Sequence, residues 1–223
     1  MSESEQAVLK IDFVSDVSCP WCVIGLRAME QALAEIDNVS AEVNFKPFEL
    51  NPDMGADGQD LDEHIAQKYG TTPEQSASTR EMIRNRGAEL GFVFDREKYQ
   101  RIYNTFDTHR LLHWAALEGK QYALKTALFE AYFTEGNNPS AHDVLIALAG
   151  KVGLDETRAA EILAGDEFAK SVREEQALYH RAGIHAVPAI VVNDKHLIQG
   201  GQPVEVFKQA FEQIAAEAGA GAA

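Results

Sequence analysis

The two cysteines of this 223-residue chain stand in the sequence Cys19-Pro20-Trp21-Cys22, the CPWC motif. At most one intrachain disulfide can form, which excludes a secreted scaffold held by several disulfides. A four-cysteine zinc site is excluded as well. A site of two cysteines and two histidines needs a closely spaced histidine pair downstream, and the nearest histidine after Cys22 is His64. We therefore expect no bound metal.

The CPWC motif lies between a predicted strand and a predicted helix. Alternating apolar residues predict a strand before the motif: Leu9, Ile11 and Phe13. Apolar residues at steps of three and four predict a helix from about Cys19 to Ile36: Leu26, Met29, Leu33 and Ile36. A second alternating strand around Val43 and Phe45 follows. The first part of the chain is therefore a predicted βαβ unit.

The middle of the chain is predicted to be helical. No convincing strand pattern occurs from Gly55 to about Ala182, and helical spacing is found over residues 108–117 and 121–134. Thr72 followed by Pro73 predicts a helix start, and Gly91 is placed to end that helix. Three further residues are predicted to cap later helices: Ser140, Asp155 and Asp166.

The end of the chain returns to strand patterns. Pro188 precedes an apolar run of four residues, and Asn193-Asp194 predicts a hairpin turn before a partner strand. Pro203 suits the first turn of a final helix, and residues 218–223 are expected to be a frayed tail. The predicted class is α/β, an open sheet interrupted by a helical insertion.

A cysteine pair at the start of a helix has a specific chemical use. The first N–H groups of a helix lack internal partners, and the helix dipole favours an anion there, so a thiolate at Cys19 is stabilised. Cys22 lies one turn further on and can reach back to close a disulfide. We expect Cys19 to be the exposed, attacking sulfur and Cys22 the more buried, resolving one. The alternative is two unrelated buried cysteines.

Val187-Pro188 stands directly ahead of the predicted apolar strand. A proline cannot donate to a sheet ladder and is tolerated at strand starts or edges. In the cis form it makes a tight turn that can sit against the cysteine pair, whereas a trans proline simply starts the strand. The residue pattern leaves both readings open.

Several stretches together resemble the DsbA family of thioredoxin-fold oxidoreductases, in particular its cytoplasmic FrnE-like branch. The resemblance covers essentially the whole chain. It rests on these segments: Ser15-Asp16-Val17-Ser18 with the CPWC motif, Phe48-Glu49-Leu50-Asn51-Pro52, Asn104-Thr105, His109-Arg110, Val187-Pro188 and Gly200-Gly201-Gln202-Pro203. Some relatives carry a second cysteine pair near the C-terminus, and this chain has none. A mechanism that needs two redox centres in one subunit is therefore not expected.

The resemblance implies a thioredoxin fold with a large inserted all-helical domain. Residues 1–50 and 183–217 would form the two halves of the thioredoxin-like part, and residues 51–182 the insertion. It also implies Cys19 as nucleophile, Cys22 as resolver and Pro188 in cis. The backbone of Val187 would pair with an extended substrate peptide, and Pro20 and Trp21 would also line the substrate site.

Other residues near the motif allow two readings each. Asp16 either tunes the Cys19 thiol or is a solvated loop carboxylate, the reading that we favour. Trp21 either shields the sulfurs or contacts the substrate. His109 and Arg110 are expected to make surface or interdomain hydrogen bonds rather than to take part in catalysis. His185 either faces the site or is a loop histidine without a catalytic role.

Composition limits the partners. Acidic residues number 35 and basic ones 20, a net charge of −15, which disfavours nucleic acid and anionic lipid surfaces. No apolar run approaches the roughly 20 residues of a membrane span. The chain starts Met1-Ser2-Glu3-Ser4-Glu5-Gln6, which does not have the pattern of a secretory signal, so we expect a cytoplasmic protein.

The apolar stripes of residues 111–133 are expected to be core or a homodimer face.

Three functions compete. The first is a thiol–disulfide oxidoreductase acting on protein or small thiol substrates, with no cofactor beyond glutathione as a reductant or co-substrate. The second is a glutathione-dependent transferase or isomerase, because kappa-class glutathione transferases and hydroxychromene carboxylate isomerases are similar in layout. They typically carry serine at the place of Cys19, and Asn51 would help such a glutathione site. The third is a redox-sensing chaperone or binding module.

Overall fold

The computed structural model describes residues 7–220, with the side chains of residues 218–220 left aside. Residues 1–6, on which the absence of a secretory signal was argued, and residues 221–223 lie outside the described part. Along the chain the elements are β1 (Ala7–Ser15), α1 (Pro20–Ala34), β2 (Val39–Pro47), β3 (Gln59–Asp60), α2 (Leu61–Tyr69), α3 (Pro73–Glu89), β4 (Arg101–Ile102), α4 (Phe106–Leu117), α5 (Gln121–Phe129), α6 (His142–Lys151), α7 (Glu156–Ala164), α8 (Ala169–Arg181), β5 (Ala189–Val192), β6 (His196–Gln199) and α9 (Val204–Ala220). A π-helical turn, Glu130–Thr134, extends α5.

The main sheet has the strand order β2-β1-β5-β6. β1 runs parallel to β2 and antiparallel to β5, and β6 pairs antiparallel with β5. The register places Val14 opposite Ala189, so Pro188, one residue before β5, lies beside the end of β1. α1 and α9 pack on each other, and α9 also contacts β1 and β2. β1 and β5 are the two inner strands of this sheet.

The helices α2 to α8 occupy the chain between β2 and β5. α4 packs against α5, α7 and α8, while α5 also contacts β2. Most apolar residues of the 111–133 stripes belong to the core: Leu111, Leu112, Leu124, Leu128, Phe129 and Phe133. Leu117 and Tyr122 are exposed, and the homodimer face stays a prediction. The fold class is confirmed as α/β with a large helical insertion. Its boundaries near residues 51 and 182 stay predictions.

Two of the predicted helix caps and the predicted hairpin turn are confirmed. Thr72 accepts from the backbone N–H of Gln75, whose side chain accepts from the Thr72 N–H, which forms a capping box. Asp155 caps α7 by accepting from Arg158 N. Asn193 and Asp194 both have positive φ, 52° and 55°, as the predicted two-residue hairpin turn requires.

Two predicted caps are wrong. The Ser140 hydroxyl bonds to Asn138 Oδ1 at 2.7 Å instead of a helix N–H, and α6 begins after Ala141. Asp166 contributes only its backbone carbonyl, which accepts from Ala169 N, because α8 begins after Phe168 with φ at 63°.

The middle of the chain also differs from the prediction. The expectation of no strand there is wrong, since β3 and β4 pair antiparallel. Each has two residues, too few to show an alternation. α2 was not predicted, although Asp60 caps it by accepting from Asp62 N and Glu63 N.

α9 continues to Ala220, so it includes the first residues of the predicted frayed tail. Between residues 7 and 220, no helix combines the length and the apolar character that crossing a membrane requires.

Candidate functional site

The CPWC motif forms the start of α1. Cys19 is the residue that precedes the helix, with an extended backbone, and Pro20 occupies the first helical position. The Cys22 N–H donates to the Cys19 carbonyl at 3.0 Å, which closes the first turn. Both cysteines are free thiols. The sulfur of Cys19 thus lies at the end of α1 where the helix N–H groups have no partner within the helix.

The two sulfurs differ in burial less than expected. Cys22 is 0% exposed and Cys19 only 4% exposed, so the expectation of an exposed Cys19 is wrong. Burial raises the pKa of the Cys22 thiol well above its usual range, and hydrogen bonding with Cys19 raises it further. The Lys125 ammonium acts in the opposite direction on the same thiol. Cys22 is therefore a fully buried thiol inside the first turn of α1.

Val187 and Pro188 lie against Cys19. The Val187–Pro188 peptide bond is cis. The Cys19 thiol lies within hydrogen-bonding distance of the Val187 carbonyl, with 3.7 Å between Sγ and O, and this contact is one reason for the low exposure of Cys19. The register of β1 with β5 brings together residues that are far apart in sequence.

Two glycines allow this close packing. A Cβ on Gly25 would lie 3.1 Å from Pro188 Cγ, and a Cβ on Gly201 would lie 3.0 Å from the Trp21 carbonyl oxygen. A Cβ at either position would require its neighbour to shift by a few tenths of an ångström. Gly201 belongs to a stretch that carried the family resemblance, whereas Gly25 was missed because one glycine inside a helix gives no distinct signal. Trp21 is half-buried against the apolar core.

Asp16 is buried, so the reading as a solvated loop carboxylate is wrong. It is 0% exposed. Its Oδ1 accepts from Ser18 N at 3.2 Å and its Oδ2 accepts from Leu50 N at 2.7 Å. The carboxylate therefore joins the loop before Cys19 to the segment that follows β2.

His109 reaches this carboxylate from the helical insertion. The His109 ring Nε2–H donates to the Phe48 carbonyl at 3.0 Å and lies 3.9 Å from Asp16 Oδ1. Burial lowers the pKa of His109 to about 4, although Asp16 opposes that change, so the ring is neutral near pH 7. His109 is therefore not a surface residue. Its hydrogen bond joins α4 of the helical insertion to the segment that follows β2.

Arg110 is also buried but points to other helices. Its guanidinium donates to the Glu167, Ile162 and Gly165 carbonyls and to Asp107 Oδ1. It ties α4 to the end of α7 and the α7–α8 loop, a structural role. His185 is exposed and its ring lies beside that of His180.

Lys125 on α5 was missed by the sequence analysis. Its side chain is 0% exposed, and its Nζ has no hydrogen-bond partner within the described residues. The ammonium lies 4.9 Å from the ring centre of Phe129 and 5.6 Å from that of Phe45. Such contacts contribute roughly 0.5–2 kcal/mol, less than the several kcal/mol that burying an ammonium costs. Burial accordingly lowers the pKa of Lys125 to about 8, against the opposing charges of Cys22, Asp16 and Cys19.

Lys68 of α2 reaches the segment that follows β2. Lys68 donates to the Leu50 carbonyl at 2.6 Å and to Asn51 Oδ1 at 2.7 Å. No group of three or more metal-ligating side chains was found among residues 7–220.

Comparison with known proteins gives consistent results. The model of the DSBA-like thioredoxin domain matches residues 10–212. The chain is 30% identical over 206 residues to the uncharacterised protein YwbO of Bacillus subtilis (strain 168), covering 90% of this chain and 94% of that one. It is similar to a crystal structure of a probable DsbA oxidoreductase from Streptomyces coelicolor, with a TM-score of 0.85, 30% identity and coverage of 92% and 89%.

A more distant structure shares the fold alone. The cytosolic disulfide reductase DsbM from Pseudomonas aeruginosa, solved with glutathione, has a TM-score of 0.61 at 17% identity. The alignment covers 92% of this chain and 98% of DsbM. The thioredoxin fold with its helical insertion is therefore confirmed.

Replacing Asp16 by asparagine is expected to destabilise the protein by about 1–3 kcal/mol, because one of the two backbone N–H groups would face an amide NH₂. Urea unfolding measures this free energy. Asp37→Asn, at an exposed position after α1, is the control and is expected to change stability by less than about 0.5 kcal/mol. Equal stability of the two variants would contradict the role of Asp16 in joining the two segments.

Replacing Lys125 by methionine is expected to stabilise the protein at pH 7. A pKa lowered from 10.5 to about 8 means that folding disfavours the ammonium. The penalty, up to about 3 kcal/mol, is fully present below pH 8 and disappears as the pH rises towards 10.5. Urea unfolding at several pH values should show the advantage of Lys125→Met shrinking over that interval. A variant less stable than wild type at pH 7 would contradict this prediction.

Proposed function

Because the chain belongs to the family of DSBA-like thioredoxin domains, we propose that it is a thiol–disulfide oxidoreductase whose redox pair is Cys19 and Cys22. The observation that carries the proposal is the placement of the pair: Cys19 begins α1 and contacts the Val187 carbonyl, with Cys22 one turn behind it. This arrangement suits one sulfur to attack and the other to resolve.

The first step is attack by the Cys19 thiolate on a substrate disulfide. The free N–H groups and the dipole of α1 stabilise this thiolate. Its electron pair forms a bond to one substrate sulfur, the substrate S–S bond breaks, and the other substrate sulfur leaves as a thiolate that takes a proton from water. The product is a mixed disulfide on Cys19.

The second step is resolution by Cys22. Its thiol loses a proton, and its sulfur attacks Cys19, so the Cys19–Cys22 bond forms while the bond from Cys19 to the substrate breaks. The substrate is reduced by two electrons and the pair is oxidised. Run in reverse, the same steps insert a disulfide. In a reducing compartment such as the cytoplasm, such a pair would be kept reduced and would act as a reductase or isomerase.

The substrate is proposed to be a protein or peptide. The carbonyl of Val187 faces Cys19, so an extended segment placed along this backbone would bring its disulfide to the sulfur. Pro20, Trp21 and Pro188 would form the remaining walls. Asp16 would tune the sulfurs through the motif loop that it holds in place.

Glutathione is proposed as the reductant of the oxidised pair. DsbM, which shares the fold, was solved with it. A transferase or isomerase of the kappa type also uses glutathione but needs no resolving sulfur, whereas here Cys22 lies one helical turn from Cys19 and is fully buried. The presence of this second sulfur favours redox chemistry.

The replacement of each cysteine by serine tests the proposal. Cys19→Ser is expected to abolish disulfide exchange, because no attacking thiolate is left. Cys22→Ser is expected to accumulate the mixed disulfide, because release needs the second sulfur. Thiol alkylation followed by mass spectrometry, over a series of glutathione buffers, measures both results and the reversible closure of the wild-type pair.

Other outcomes would support the alternatives. A wild-type pair that never closes would contradict the redox proposal. Glutathione conjugation or isomerisation that survives Cys22→Ser would point to the kappa-type enzymes. Suppression of protein aggregation that survives Cys19→Ser, without any exchange activity, would point to a chaperone.

A further inference from the structure

A cavity of about 350 Å³ lies in the helical insertion, between α3 and the loop that leads to β4. Three arginines, one glutamate and two aromatic residues are among those that line it: Arg80, Arg84, Arg96, Glu81, Phe94 and Tyr99. Its volume is within the range of roughly 300–1,000 Å³ found for pockets that hold small molecules. None of these residues belongs to the site of the two cysteines.

The side chains around this cavity carry an excess of positive charge. Arg80 Nη1 and Arg96 Nη2 bond to the same oxygen of Asp62 on α2, at 2.7 and 2.8 Å, so two guanidinium groups share one carboxylate. The third guanidinium, that of Arg84, lies 3.6 Å from the carboxylate of Glu81. Three cations thus stand against two anions, although the whole chain has a net charge of −15. This is a surface that an anion can approach.

Arg96 is held in place but incompletely hydrogen-bonded. Its Nη1 donates to the Tyr99 carbonyl at 3.0 Å, and its Cζ lies 5.7 Å from the centre of the Tyr99 ring. Its Nε is buried and has no hydrogen-bond partner within residues 7–220. Buried donors are normally paired, and an acceptor bound beside Arg96 would pair this one.

The aromatic wall of the cavity is fixed by the core of the insertion. Phe94 and Tyr99 are buried, and their rings lie 5.1 and 5.2 Å from that of Phe133, between ring centres. The backbone is tied to the same residue, because Asp95 N donates to the Phe133 carbonyl at 2.9 Å. The Asp95 carboxylate pairs with Lys98 at 3.2 Å, so these two charges leave the excess unchanged. The cavity therefore combines cationic side chains with a fixed apolar wall.

We propose that this cavity binds a small organic phosphate. The phosphoryl group lies among the three arginines, and an aromatic group attached to it lies against Phe94 and Tyr99. A phosphate monoester fits better than a carboxylate, because it has a charge of about −1.5 to −2 and three acceptor oxygens for three guanidinium groups. It also fits better than inorganic phosphate, which would leave the aromatic wall uncovered. This site is separate from the proposed disulfide exchange and goes beyond it.

Isothermal titration calorimetry with three probes tests the proposal. Phenyl phosphate has both groups, inorganic phosphate lacks the ring, and phenol lacks the phosphoryl group. One molecule of phenyl phosphate is expected to bind per chain, at least about tenfold more tightly than either of the other two probes. Its affinity is expected to fall severalfold between about 20 and 200 mM NaCl, because salt screens the attraction between exposed charges.

Substitutions on α3 test whether the cavity holds the ligand. Arg80→Gln and Arg84→Gln are each expected to weaken the binding of phenyl phosphate about tenfold. Glu81→Gln removes a negative charge from the same wall and is expected to strengthen binding severalfold, a gain that a general loss of structure would not produce. Arg86→Gln is the matched control, because Arg86 is on α3 but not among the lining residues, and it is expected to leave the affinity unchanged.

Each outcome decides for or against the site. A lack of saturable phenyl phosphate binding would overturn the proposal. Unchanged affinity in both cavity-arginine variants would do the same, because the ligand would then bind elsewhere. Equal affinity for phenyl phosphate and inorganic phosphate would overturn the role of the aromatic wall. Cys19→Ser is expected to bind phenyl phosphate like wild type, so this result and that of the disulfide-exchange assay can each fail without the other.

Discussion

The pairing of β1 with β5 is the constraint on which the rest of the site depends. β5 enters the sheet only after the whole helical insertion, and its register with β1 places Phe13 opposite Ile190 and Val14 opposite Ala189. A slip of one residue would turn Ile190 out of the core and move Val187 away from Cys19. Because Phe13 and Ile190 are both fully buried, the apolar core fixes the register. The contact between Val187 and the sulfur is thus a consequence of core packing.

The helical insertion contributes buried polar side chains around the segment that follows β2. His109 donates to the backbone after β2, and Asp16 accepts from the same segment, so these two buried groups are satisfied. Lys125 has aromatic rings as neighbours and no hydrogen-bond partner within the described residues. Buried polar groups cost free energy unless they are paired. The Lys125 ammonium is therefore one of several buried polar groups that lack a hydrogen bond among the described residues.

The sequence allowed the parts of the fold to be predicted that depend on neighbouring residues. The strand before Cys19, the helix after it and the turn at Asn193-Asp194 all follow from local periodicity or turn chemistry. α2 could have been found from Asp60 as a cap and from the helical spacing of Leu61 and Ile65.

The burial of the polar residues could not be predicted in the same way. Asp16 is buried because its partner is the N–H of Leu50, in a segment that only the sheet brings close. Lys125 stands four residues before Phe129 in an apolar stripe, yet a lysine normally keeps its charged end in water. Its burial results from the packing of α5 on β2, which no local pattern reports.

The low exposure of Cys19 depends on β5 as well as on the start of α1. Cys19 is 4% exposed, and its thiol lies 3.7 Å from the Val187 carbonyl oxygen. Val187 comes to this position because Ala189, two residues later, pairs with Val14 at the end of β1. The register that buries the apolar core therefore also covers the sulfur, and the cover belongs to the strand that enters the sheet after the helical insertion.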